Sequence, residues 1–421
     1  MENLTDLFVR YLFEKSDAIG EGVLKTAALA REDTLSVTEA GAVKNADKWA
    51  GFLAHVGAGK CPILGYGVET DMKTAALVNG FNAHSLELDD GQRFAMIHLG
   101  AAIVSALFAA KHEFAFSDEA ELRGIVLGYE AACRLSIAMQ PSHKKRGYHS
   151  TGTCGTVGAA VGAAFAIGLD KKQMKRVVTA AAASSAGMLE IQEQNSELKP
   201  YNPARAAMDG LCAACMGLAH FDTPDDMLGG ERGFFAMFSD NASAEKLLAA
   251  SDTFEIERRY VKPYASCRHS HSAVEAAIKL RGVIAPEKIT SVTVETYSLG
   301  VKGHDHTAIT GVASAKLSTP YAVAAALLYG RADLTVFEPI AEAASRLAKL
   351  VTVKEQADLT KECPEKRVAI VTVTADGRTF SARVDHAKGE PENPLTEAEF
   401  EEKQRSLREY IKRNRTDGMK V

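Results

Sequence analysis

The chain has 421 residues, 46% hydrophobic and 24% charged, the balance of a soluble globular protein with two to three domains. Its net charge of −5, from 49 basic and 54 acidic residues, lacks the basic excess that a nucleic-acid partner requires. Seven cysteines, an odd number in a long chain, argue against a disulfide framework and for free thiols in a reducing cytoplasm.

Read in chain order, the first ~250 residues carry the apolar periodicity of helices. The opening MENLTDLFVRYLFEKSD is acidic early and does not read as a signal peptide. Helices are expected at 4–16, 46–56, 70–86, 98–112, 118–138, 154–168, 171–188 and 203–220. Asp170 with Gln173 has the spacing of a capping box. Gly152, Gly155, Gly158 and Gly162 fall three and four apart, so small residues share one helix face and predict close helix packing. After about 255 the pattern changes. Alternation typical of strands appears at 289–297, 367–374 and 379–385, the last two flanking Asp376-Gly377, a hairpin signal. Helices are expected between them at 270–282, 318–330 and 336–348, and a charged helix at 396–413. The fold class is therefore mostly α: a large all-helical domain over 1–255, to which the C-terminal segment 392–421 returns, and a smaller α+β lid domain over 256–391. No stretch reaches the ~18 uncharged apolar residues of a membrane span; the alanine-glycine run near 152–168 comes closest and is too short and too rich in small residues.

Several motifs read as structural. The run GTCGTVGAAVG follows a polar segment rather than a strand, so it predicts helix packing rather than a phosphate loop. Cys212 and Cys215 form a CxxC inside an alanine-rich helix, read as buried and structural. The pairs His269/His271 and His304/His306 lack the further ligands of a metal site.

Four polar islands set in apolar sequence carry more information. They are NGFNAHSLELDDGQRFAMIHLG, with Glu87, Asp89, Asp90, Arg93 and His98; KKRGYHSTGTCG, with Tyr148, His149 and Thr151; NSELKPYNPARAA, with Lys199, Tyr201 and Arg205; and YVKPYASCRHSHSA, with Lys262, Tyr264, Cys267, Arg268 and His271. This set suits proton removal next to a carboxylate. Such a step builds an enediolate-like charge that cations must hold, and Lys199, Lys262 and Arg268 are the candidates. His98 and His149 are the general acid/base candidates, since imidazole titrates near neutrality. Asp89 and Asp90 are placed to orient them.

At these islands, and at AKLSTPYAVAAALLYG, the chain resembles the MmgE/PrpD family, which includes 2-methylcitrate dehydratase, cis-aconitate decarboxylase and iminodisuccinate epimerase. The resemblance spans about 75–330. It implies a helical domain with a smaller lid, a homodimer, no metal or organic cofactor, and a small di- or tricarboxylate as substrate. By position it implies catalytic roles for His98, His149, Lys199, Lys262, Asp89 and Asp90. Substrate contacts are implied for Glu87, Arg93, Tyr148, Tyr264, Arg268, His271 and Tyr321. The sequence departs from the family pattern in having Glu87 for Asp, Gly91 for Thr, Leu99 for Pro, Asn202 for His, Ala204 for Gly and Ala265 for Pro. The expected activity is a lyase reaction, dehydration or decarboxylation, in a pocket between the two domains. An epimerase and a catalytically silent metabolite-binding member are the alternatives.

Overall fold

The computed structural model describes residues 3–193 and 196–415, so the last residues of the expected returning segment, 416–421, lie outside the described residues. The fold is mostly α, with a large helical part followed by a smaller α+β part. Eight longer helices build the first: α1 (Leu4–Asp17), α2 (Glu21–Leu53), α3 (Met72–His84), α4 (Gly100–Phe114), α5 (Asp118–Met139), α6 (Ser150–Ala166), α7 (Lys171–Ser184) and α8 (Tyr201–Met216). This part is not all-helical, because Ala58–Ile63 (β1) and Val68–Thr70 (β2) pair as a short antiparallel ribbon. Only two or three of its residues turn inward, which leaves too little alternation to announce a strand.

The capping box at Asp170 and Gln173 starts α7 as expected. The glycines of α6 do more than one job. A Cβ on Gly158 would lie 2.7 Å from the Gly128 carbonyl oxygen, and one on Gly162 would lie 2.7 Å from that of Gly124. These two positions let α5 and α6 touch backbone to backbone. Gly152 instead meets Ala186, while a Cβ on Gly155 would make only ordinary contacts, the nearest at 3.5 Å. The four glycines therefore do not share one packed face.

Helix α2 is the largest departure from the sequence reading, running 33 residues where only 46–56 was expected. Thr34, Val37 and Thr38 are weak helix formers. In place, the Thr34 and Thr38 hydroxyls donate back to the Ala30 and Thr34 carbonyls, and tertiary burial of this stretch overrides its propensity.

The second part holds α9 (His271–Arg281), α10 (Thr319–Tyr329) and a sheet of β3 (Ile289–Thr296), β4 (Val351–Glu355), β5 (Ala369–Ala375) and β6 (Arg378–Val384) in the order β4-β3-β5-β6. β3 and β4 are parallel, and the other neighbours are antiparallel. Asp376 and Gly377 both have positive φ, as the tight hairpin between β5 and β6 requires. The helix expected at 336–348 is instead two short pieces, Leu334–Phe337 and Glu342–Ala348.

Two apolar cores result. One lies within the helical part, from Phe8 to Ile256. The other joins the sheet, α9 and α10 to Val37 and Ala40 of α2 and to Leu407 and Tyr410 of the helix α11 (Glu397–Asn414). α11 lies along α2, fixed by a buried ion pair of 2.6 Å between Lys403 and Asp33. Among the described residues no helix is long and apolar enough to cross a membrane.

Candidate active site

The first island follows the last turn of α3. Glu87 takes a positive φ of 56°, a strained conformation for a side chain of this type. That turn aims its carboxylate between two ammonium groups. Lys199, just before α8, bonds Oε1, and Lys262 bonds Oε2 at 3.0 Å. Burial alone would raise the Glu87 carboxyl, but Lys199 and Lys262, helped by His84 and His98, hold it well below the usual range. Burial would likewise lower the Lys262 ammonium, yet Glu87 and Asp89 raise it, so it stays charged.

Asp89 is fully buried and serves two imidazoles. His84 Nδ1 lies 2.7 Å and His98 Nδ1 3.2 Å from its Oδ2, while Lys262 Nζ stands 3.9 Å from Oδ1. Against the penalty of burial, these three groups keep Asp89 ionised. The ligand atoms of His84, Asp89 and His98 lie within 4.8 Å of one another; a hydrogen bond joins His84 to Asp89, and His98 Nδ1 stands 3.2 Å from the same carboxylate.

The two candidate acid/base histidines are fixed in opposite tautomers. His98 Nδ1 lies 2.9 Å from the Asp90 carbonyl oxygen and close to the Asp89 carboxylate. Both are acceptors, so Nδ1 carries the proton and Nε2 is left with a lone pair. His149 Nδ1 lies 2.9 Å from the amide nitrogen of Asn202, which also donates to the Met188 carbonyl at 3.3 Å. Here Nδ1 accepts, so Nε2 carries the proton. Burial, with Lys262 adding to it, pushes His98 down to about 4 despite Asp89. Burial and the surrounding cations push His149 well below its ordinary value too. Both rings are neutral near pH 7, His98 with a free lone pair on Nε2 and His149 with a proton there.

A cavity of about 100 Å³ has both histidines in its wall, with Lys199, Arg268 and Tyr148. The structure thus brings together side chains from all four islands. The cavity also holds residues that sequence reasoning missed: Lys144, Arg367, Tyr260, His269 and His304. Lys144 belongs to the run Lys144-Lys145-Arg146, which is too short to count as a basic patch. Arg367 lies a hundred residues beyond the last island, just before β5, and no local signal marks it. The charge balance differs from the expectation. Lys199 and Lys262 share Glu87, and Arg268 is held by Glu390 at 2.6 Å. Among the described residues no carboxylate forms a close ion pair with Lys144 or Arg367, although Glu390 acts on Arg367 at longer range. Arg367 donates to the Arg93 carbonyl at 3.3 Å and leaves its Nε unpaired.

Tyr260 accounts for one departure from the family pattern. A Cβ at Gly91 would lie 2.4 Å from its hydroxyl, so the space where the family carries Thr is filled by a ring from the other part of the chain. The Arg268 guanidinium stacks over that ring at 4.5 Å.

Other expected site residues are used elsewhere. Asp90 does not orient a side chain: it caps α4 by accepting from Gly100 N at 2.9 Å and from the Tyr129 hydroxyl at 2.8 Å. Only its carbonyl serves His98. His271 lies behind Arg268, accepting from it at 2.9 Å while donating to the Ser266 carbonyl. Arg93 is clamped by Glu390 and Glu392. Tyr264 packs edge-on against His271 and the second core, and Tyr321 is buried in that core with its hydroxyl on the Val336 carbonyl. None of these side chains lines the cavity. Cys212 is exposed rather than buried, and Cys215 is half-buried. The two His-x-His pairs do not converge on a common point. His269 bonds Tyr297 and His304 faces Cys267, whereas His306 turns to Ser314.

This fold and site define a class. The MmgE/PrpD N-terminal domain matches residues 14–247 and the MmgE/PrpD C-terminal domain residues 264–417, and the chain belongs to the MmgE/PrpD family. Among curated proteins it is 27% identical over 382 residues to the cis-aconitate decarboxylase-like protein oryM of Aspergillus oryzae, covering 83% of this chain and 78% of that one. It is 24% identical over 356 residues to cis-aconitate decarboxylase of Homo sapiens (79% and 72%). It is also 26% identical over 243 residues to cis-aconitate decarboxylase of Aspergillus terreus (53% and 48%).

Proposed function

We propose that the chain is a lyase acting at a C–H bond next to a carboxylate of a small di- or tricarboxylate, with decarboxylation favoured by the names of its relatives. The observation that carries this reading is the pairing of opposite tautomers, His98 and His149, in one cavity with cations that exceed the local carboxylates. In this scheme Lys144 and Arg367, neither of them in a close ion pair with a protein acid, hold the substrate carboxylates. Lys199, anchored by Glu87, stabilises the charge that develops on the carboxylate next to the reacting carbon. The Nε2 lone pair of His98 takes the proton, with Asp89 favouring the imidazolium that forms. The Nε2–H of the neutral His149 ring hydrogen-bonds the oxygen on which charge develops, while the imidazolium formed on His98 returns its proton to the leaving hydroxyl; in a decarboxylation the proton that replaces CO₂ comes from solvent through the His98 ring. A homodimer and a cytoplasmic setting belong to the same reading.

The test is proton NMR in D₂O with citrate, 2-methylcitrate, cis-aconitate and aspartate-derived diacids. Appearance of a new alkene, or of CO₂ with deuterium at the reacting carbon, supports the lyase. Deuterium incorporation with inversion and neither product assigns an epimerase instead. Stabilisation of the fold by an acid that is never turned over assigns a silent binding protein.

A further inference from the structure

Cys267 lies in the wall of the same cavity, and none of the steps above uses it. Its Sγ stands 3.8 Å from His304 Nε2. The other ring nitrogen of His304 faces the Leu317 carbonyl at 2.9 Å, which fixes the proton there and turns Nε2 toward sulfur. The His269 ring lies 5.2 Å from that of His304. The charged groups acting on Cys267 are His304, the lysines 144, 199 and 262, and one acid, Glu87. Among the described residues Lys144 has no acid of its own. An electropositive, partly exposed surrounding of this kind is what distinguishes a reactive thiol from a structural one. Cys363, in the same wall, lacks such a partner, and burial raises it.

We propose that Cys267 and His304 form a thiolate–imidazolium pair that captures small anionic electrophiles, specifically α,β-unsaturated carboxylates, by covalent addition. This rests on the reading that the cavity receives small carboxylates. In the addition the sulfur lone pair forms a bond to the β carbon. The C=C π bond breaks toward the α carbon as a carboxylate-stabilised carbanion, which takes the proton of His304 Nε2. The products are a thioether and a neutral imidazole, and no oxidant is needed. An enzyme that releases an unsaturated acid would then be slowed by its own product. Against the pull of burial, His304 and then Lys199 bring the thiol down to about 6, in keeping with the pair.

The experiment is competitive alkylation of the folded full-length protein, read by peptide mapping. Iodoacetate and iodoacetamide are used across pH 5 to 9, a range that spans thiol titration. The expected result is that labelling of Cys267 levels off by about pH 7 and is faster with the anionic reagent, whereas exposed Cys212 rises through pH 8–9 and prefers the neutral one. His304→Gln should move the Cys267 profile upward by a unit or more. Methylidenesuccinate and its dimethyl ester then test the ligand class. The diacid should add faster at Cys267 although the diester is the stronger electrophile. Cys267 labelled only after unfolding, or with the pH profile of Cys212, overturns the pair. A diester preference at Cys267 overturns the ligand class. Neither alkylation result depends on turnover, so failure here is separable from failure of the lyase reading.

Discussion

Replacing Glu87 by glutamine should destabilise the protein severely, and the size follows from the geometry. Glu87 is 7% exposed and Lys262 is fully buried. At 3.0 Å and an effective dielectric of ~20, their attraction is roughly 5 kcal/mol. Lys199 draws on the same carboxylate. The Glu87→Gln variant would leave two ammonium groups facing each other, with Asp89 at 3.9 Å from one of them and already shared by two imidazoles. Removing the buried carboxylate also removes its own desolvation penalty, so the net loss is about 3–5 kcal/mol, the range for a broken buried pair. Against a total of ~5–15 kcal/mol, that is a large fraction. Urea unfolding at pH 7 measures it. Lys48→Ala, which breaks an exposed pair with Glu197, is the control and should cost under ~1 kcal/mol. Adding Lys199→Met to Glu87→Gln should restore part of the loss. A Glu87→Gln protein within ~1 kcal/mol of wild type would refute the charge reasoning.

The remaining predictions concern pH, binding, tautomer and packing. His98 has its imidazole depressed to about 4, so between its ordinary 6.5 and 4 the unfolded chain takes up a proton that the folded one refuses. Stability therefore falls as pH drops through that window, and the acid limb of kcat/KM lies near 4; a limb at 6.5 would show that His98 is not the base. Lys144→Met and Arg367→Met should each raise KM roughly tenfold or more for the acid that the screen identifies, with little change in kcat, if each makes a charge-assisted bond of ~1.5–3 kcal/mol. Asn202→Ala frees the His149 tautomer and should lower kcat about tenfold while costing only ~1 kcal/mol of stability in the same urea assay. Gly158→Ala forces a Cβ to 2.7 Å from the Gly128 carbonyl and should lose ~1–3 kcal/mol, whereas Gly155→Ala, with its nearest contact at 3.5 Å, should gain up to ~1 kcal/mol.

Local chemistry was legible in the sequence and long-range geometry was not. Helices α5 and α10, the capping box of α7 and the Asp-Gly hairpin could be read because their signals lie within a few residues. α2 could not, since its stability comes from burial against both cores rather than from propensity. At the site, the islands named His98, His149, Lys199 and Arg268 because each stands beside Gly, Pro or a helix end. The fourth island misled at Tyr264 and the family resemblance at Tyr321, whose rings look like pocket residues until their contacts with the second core are known. Arg367 carries no local mark at all, and Lys144, although it opens the second island, has nothing in its neighbours to set it apart from Lys145. Which nitrogen of each histidine holds a proton depends on Asp90 and Asn202, partners 8 and 53 residues away.

The stretch from 389 to 403 bears on when this site can come into being. Glu390 neutralises Arg268 and Arg93, and the backbone beside it is threaded so closely that a Cβ on Gly389 would strike the Val261 carbonyl. Lys403 then secures α11 to Asp33. A nascent polypeptide that has not yet emerged past these positions holds the Arg268 guanidinium of the cavity wall with no counter-charge. The charge balance around Arg268, in the cavity wall, is therefore completed only after synthesis has passed this stretch.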